Sequence, residues 1–124
     1  MDIGEIALYM MYIRDQIKIY HWQTKSYSRH KATDSLVDNL SSKLDKFVEV
    51  MQGSRMKRIV ISKTNKFVFE NETDNNAVKL LTEFRNWLEN ILPKYLEKSD
   101  TELLNIRDDI LADVNQTLYL FTFE

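Results

Sequence analysis

Residues 20–53 read YHWQTKSYSRHKATDSLVDNLSSKLDKFVEVMQG, and they hold both histidines of the chain, His21 and His30, with four carboxylates, Asp34, Asp38, Asp45 and Glu49. Imidazole beside carboxylate is a donor set for iron, zinc or manganese, whereas magnesium prefers oxygen ligands and water. If 30–50 forms one helix, Asp45 lies fifteen residues beyond His30, about 22 Å at a rise of about 1.5 Å per residue. One ion does not reach both. If residues 3–21 form an antiparallel partner helix, His21 joins His30 at one end while Asp45 and Glu49 stay near the other. The two groups then share an ion only between chains. An antiparallel two-fold dimer lays the histidine end of one subunit on the carboxylate end of the other and makes two identical sites.

At these residues the chain resembles the Dps family of mini-ferritins. The family's site has a histidine followed by tryptophan on the first helix and a second histidine opening the next. An aspartate and, four residues later, a glutamate follow further along that helix. His21-Trp22, His30, Asp45 and Glu49 stand in that order here, and Asp34 and Asp38 match acidic positions common in the family. The loop between the two histidines is shorter than the family's usual one. The resemblance implies a ferritin-like four-helix bundle in which His21 and His30 of one subunit and Asp45 and Glu49 of the other are the catalytic iron ligands. Asp34 would relay iron or support the ligands from behind. The implied reaction is oxidation of ferrous iron by hydrogen peroxide, less readily by oxygen, within a hollow dodecamer that stores the ferric mineral under oxidative stress.

Read without that resemblance, the same residues have a plainer meaning. An Asp-x-x-x-Glu pair is a common solvated helix face, and Trp22 reads as core or interface packing. The alternative function is a ferritin-like structural or interaction module that keeps the site residues without metal turnover.

Composition sets the frame. A chain of 124 residues with 44% hydrophobic residues supports a single domain with one core. Two glycines and one proline disfavour a turn-rich β fold and point to an all-α architecture. The absence of cysteine removes disulfides, thiolate catalysis and thiolate-bound clusters. A net charge of -2 gives no general attraction for nucleic acid. The N-terminus lacks a basic segment ahead of an apolar run, and no stretch approaches the ~18 apolar residues of a membrane span. A cytoplasmic address is expected.

Along the chain, Ile3, Ile6, Met10, Ile13, Ile17, Tyr20 and Thr24 fall at helical steps and predict a helix over 3–24. Leu8, Tyr12 and Ile19 add a second apolar flank, expected to be covered as at a subunit interface. Residues 23–29 read as a short connection with Ser28 as N-cap, followed by a helix over 29–52 that Gly53 ends. Leu36, Leu40, Leu44, Phe47 and Met51 form its core stripe beside the acidic one. Residues 54–74 form the long connection of a ferritin-like bundle, either a small hairpin or an extended crossover. Its basic cluster, Arg55, Lys57 and Arg58, reads as a solvated loop, and strong DNA binding is not expected. Thr73 or Asp74 caps a third helix over 75–92, with a core stripe from Ala77 to Ile91 flanked by Trp87 and stopped or kinked by Pro93. Ser99-Asp100-Thr101-Glu102 reads as a capping box for a fourth helix carrying Leu103, Ile106, Ile110, Val114, Leu118 and Phe121. The apolar C-terminus is expected to pack on the bundle or on another subunit.

The sequence lacks Glu-x-x-His, a glycine-rich phosphate loop, Gly-x-Ser-x-Gly and His-Glu-x-x-His. Intrasubunit di-iron, nucleotide and hydrolase readings therefore lack support. Metal redox chemistry remains as the enzymatic expectation.

Overall fold

The computed structural model describes residues 1–123. Its elements are α1 (Ile3–Gln23), α2 (Tyr27–Arg55), α3 (Asp74–Asn86) and α4 (Thr101–Leu120), and α3 is prolonged by a π turn (Trp87–Ile91) and a 3-10 turn (Leu92–Tyr95). No strand occurs among the described residues, so the hairpin alternative for 54–74 gives way to an extended crossover. None of their helices is long and apolar enough to cross a membrane.

Contacts at the helix ends fix the topology. Arg55 at the foot of α2 grips Asp100 at the start of α4, and Phe121 just beyond α4 packs edge-on against Tyr20 near the top of α1. Tyr20 also donates to Asp74, which opens α3. Hence α1 and α4 run one way, α2 and α3 the other, and the crossover climbs the length of α1. Lateral packing of α1 on α2, α2 on α4, and α3 on both α4 and α1 closes four helices around one core.

That core is the set of stripes at three- and four-residue spacing. Ile6, Met10, Ile13, Ile17 and Tyr20 meet Leu36, Leu40, Leu44, Phe47 and Met51, with Leu81, Phe84, Leu88, Leu103, Ile110 and Val114 on the far side, all buried. Each large apolar side chain removed from water contributes about 1.5–3 kcal/mol.

Several boundaries differ from the sequence expectation for local reasons. Ser26, not Ser28, caps α2 by accepting from the Arg29 amide at 3.3 Å. The Thr24 hydroxyl accepts from the Ser26 amide at 3.1 Å, closing the turn early. Gly53 does not stop α2, which runs to Arg55 and ends at Met56 in the left-handed region with φ 49°. The Arg55 guanidinium meets both Asp100 oxygens at 2.7 and 2.8 Å, which holds that last turn in place. Asp100, not Ser99, is the N-cap of α4, but its side chain makes no cap bond. Its carboxylate is committed to Arg55 and to the Glu97 amide, so no capping box forms. Thr73 caps α3. Regular α-helix stops at Asn86, because Pro93 lacks a donor and crowds the preceding turn, and the π and 3-10 turns absorb the misfit.

The second flank of α1 is covered in part by the chain's own crossover. Phe67 stacks on Tyr12 at 4.8 Å, and the Tyr12 hydroxyl donates to the Val68 carbonyl at 3.3 Å. Gln16, only 1% exposed, binds the amide and the carbonyl of Glu70. Gln23 and Gln52 accept from the amides of Glu72 and Ile59. Backbone polar groups that lack a strand partner are thus met by glutamine side chains. Of the C-terminal residues, Phe121 is buried, whereas Tyr119 and Phe123 are exposed.

Candidate metal centre

The three-residue connection between α1 and α2 folds the helices back on each other, so His21 in the last turn of α1 faces His30 in the first turn of α2. Their rings stack with centroids 3.9 Å apart and planes 16° from parallel. Each ring binds the backbone of the other residue. His21 Nδ1 lies 2.8 Å from the His30 carbonyl oxygen, and His30 Nδ1 lies 2.9 Å from the His21 carbonyl oxygen. A carbonyl only accepts, so each Nδ1 carries a proton, and the neutral form of each ring has its lone pair on Nε2, the tautomer of a metal-ligating histidine with a backbone partner. Thr33 supports the arrangement from beneath. Its hydroxyl sits 3.1 Å from His21 Nδ1 and donates to the Arg29 carbonyl at 2.7 Å.

His21 Nε2 lies 3.9 Å from Asp34 Oδ1. A tetrahedral ion bound to both atoms at about 2.0–2.2 Å holds them about 3.4 Å apart, so the exposed Asp34 side chain has to close in by about 0.5 Å to share an ion with His21. The two histidines do not chelate a single ion as they stand, since nearly parallel ring planes meet far beyond the length of a metal–nitrogen bond. Each ring serves its own ion, or one ring turns. His21 is buried, His30 half-buried and Asp34 exposed. Asp38 is exposed one turn further along α2.

Asp45 and Glu49 stand apart from this pair. They sit on the same unbroken helix, with Asp45 fifteen residues after His30, so about 22 Å separates the two groups. Both are exposed. The Asp45 carboxyl pushes the Glu49 carboxyl above its ordinary range, first by a hydrogen bond between the two and then by charge repulsion, with a smaller contribution from desolvation. Two neighbouring carboxylates one helical turn apart are a ready pair of oxygen donors for a cation, which relieves the repulsion between them. Asp45 borders a groove of 210 Å³ between α1 and α2 lined also by Met11, Arg14, Leu44 and Val48. Among the described residues no three His, Asp or Glu side chains come together to hold an ion. One subunit thus carries two partial donor sets rather than a site.

The sequence did not single out the network that stiffens the histidine end. Tyr20 donates to Asp74 Oδ1 at 2.6 Å, and Arg29 donates to the Tyr20 hydroxyl, the Asp74 carbonyl and the Phe121 carbonyl. The Tyr20 bond, with Thr24 and Arg29 adding to it, holds the Asp74 carboxyl below the usual carboxylate range against a smaller opposing effect of burial. Burial first, and then the bond to Asp74, pushes the Tyr20 hydroxyl up. Arg29 and Tyr20 adjoin the two histidines in sequence, which was the available signal. Their common partner, Asp74, is more than forty residues away and gave none.

No curated protein and no solved structure matches the chain at a significant level. One family model does match, over residues 21–121, from the first histidine to the aromatic residue that closes the bundle. On that match the chain belongs to DUF5856, a family of unknown function.

Proposed function

We propose that the chain is the subunit of a ferritin-like, Dps-type ferroxidase that oxidises ferrous iron at sites shared between two subunits and stores the ferric product. The observation that carries this reading is the crossed pair of bonds between His21 and His30, which leaves both Nε2 lone pairs free at one end of α2 while the Asp45/Glu49 carboxyl pair stands about 22 Å away. An antiparallel two-fold dimer through the α1/α2 face joins the two halves into two sites. The up-down-down-up course of the helices and the long crossover agree with a ferritin-like topology.

In this mechanism the imidazoles and Asp34 capture ferrous iron and the carboxylates Asp45 and Glu49 favour the ferric product. Two ferrous ions each lose one electron to hydrogen peroxide. Its O–O bond breaks and two protons complete two waters. Zinc or manganese fits the same donor set without necessarily turning over.

A second reading has its own support. The histidine bonds already satisfy the His21 carbonyl at the end of α1, so the stacked pair also works as a structural clasp in an interaction module. Anaerobic loading with ferrous iron followed by peroxide separates the two. The ferroxidase produces ferric absorbance that saturates with iron and is lost in Asp45→Ala/Glu49→Ala. The clasp gives a rate no faster than iron and peroxide without protein.

A further inference from the structure

We propose that the strip formed by the crossover and the outer edge of α1 binds single-stranded nucleic acid. Residues 55–69 contain Arg55, Lys57, Arg58, Lys63 and Lys66 and no acidic residue, so this segment carries +5 while the rest of the chain carries -7. Arg55 is spent on Asp100. The other four cations are exposed, and none is in an ion pair among the described residues. A basic segment in an otherwise acidic protein draws a polyanion to one place.

Aromatic faces lie beside these charges. Phe67 stacks on Tyr12, and Phe69 stands 5.6 Å from the same ring. Phe69 and Trp22, 50% and 68% exposed, line an open recess of 250 Å³ together with Lys18 and Asp15. The Lys18 ammonium sits 5.8 Å from the centre of the Trp22 ring. The Asp15 carboxylate, the one acidic group lining the recess, is met by Arg14 at 3.0 Å. Cations along an extended segment that runs into exposed aromatic rings at Phe67, Phe69 and Trp22 suit phosphates and unstacked bases, whereas an acidic peptide would use the cations alone. A duplex keeps its base faces stacked inside and reaches only the charges. The strip shares no residue with the histidine pair or with Asp45 and Glu49, so it stands independently of the metal reading.

The test is fluorescence anisotropy of a labelled oligothymidylate of about 12 nucleotides, within the roughly 4–16 that comparable single-strand sites cover, with a chelator present. Binding should weaken with salt at a slope of about -3 in log–log form, from about four phosphate contacts at ~0.7 each. Phe69→Ala and Trp22→Ala should each weaken binding about tenfold with the salt slope unchanged. Lys63→Ala/Lys66→Ala should flatten the slope by about 1.4. All these side chains are exposed, and an unchanged helical circular dichroism spectrum identifies folded variants. The proposal is overturned by no binding at low salt, by aromatic variants that bind as wild type, or by duplex DNA or polyglutamate competing as well as the single strand.

Discussion

Gln16 and Glu70 pair as neighbouring strands do: the Gln16 Nε2 donates to the Glu70 carbonyl at 2.7 Å, and its Oε1 accepts from the Glu70 amide at 3.1 Å. Gln16 Nε2 also donates to Glu72 Oε1 at 2.8 Å. One buried side chain therefore fixes the crossover to α1. Replacing it with leucine leaves the two Glu70 backbone groups without their partner, and a lost partner of this kind costs roughly 1–3 kcal/mol. Urea unfolding of Gln16→Leu should show that loss, with earlier proteolysis in 57–72 than in the wild type. Wild-type stability would show that water replaces the bonds at no cost.

Two aspartates set the acid side of stability. Arg55 holds Asp100, and Tyr20 holds Asp74, below the ordinary carboxylate range. With folded values below the unfolded value of about 3.9, the unfolded chain binds more protons through this range. Their stabilisation is therefore complete above the unfolded value and is lost as pH falls through the folded one. Glu72, raised chiefly by burial, opposes them, since its contribution fades as pH rises through its folded value. Denaturant midpoints measured from pH 7 down to pH 2.5 should fall below about pH 4, and less steeply in Asp100→Asn. A variant as acid-sensitive as the wild type would remove Asp100 from the explanation.

The core gives a calibration. Phe84 is fully buried between Tyr9 and Trp87, and Phe84→Ala should cost about 3–5 kcal/mol in thermal or urea unfolding. A loss under 1 kcal/mol would mean that the cavity collapses or that the site is less packed than described.

Assembly follows from the metal reading, because one chain holds only partial donor sets. Light scattering at micromolar concentration should give at least a dimer. Met11, exposed at the α1/α2 groove beside Asp45, should drive the equilibrium toward monomer when changed to glutamate, with helix content unchanged. A wild type that is monomeric throughout would end the shared-site mechanism.

The core stripes were legible because burial on a helix repeats every three or four residues, and Leu36 through Met51 needed no tertiary information. The i, i+4 pairing of Asp45 and Glu49 was legible for the same reason. Gly53 and Ser99 misled because their local signals were outweighed by one distant ion pair, Arg55 with Asp100. The Gln16–Glu70 pairing spans 54 residues and leaves no periodic trace. The meeting of His21 and His30 followed from the short connection, but the crossed Nδ1 bonds that set their tautomers depend on where two carbonyls point. Trp22, read as packing, is largely exposed within the subunit.

Complementation between subunits tests the shared site most directly. His21→Ala/His30→Ala removes one donor set, and Asp45→Ala/Glu49→Ala removes the other. Each variant, confirmed as folded by circular dichroism, should be inactive alone because every site in its homodimer lacks half its ligands. Unfolded and refolded together, the two should form mixed dimers that have one complete site and one site without any of the four ligands. Ferroxidase activity should return to about a quarter of wild type if pairing is random, since half the dimers are mixed and each has one working site of two. No activity, in a mixture that native mass spectrometry shows to contain the mixed dimer, would contradict a metal site shared by His21 and His30 of one subunit with Asp45 and Glu49 of the other.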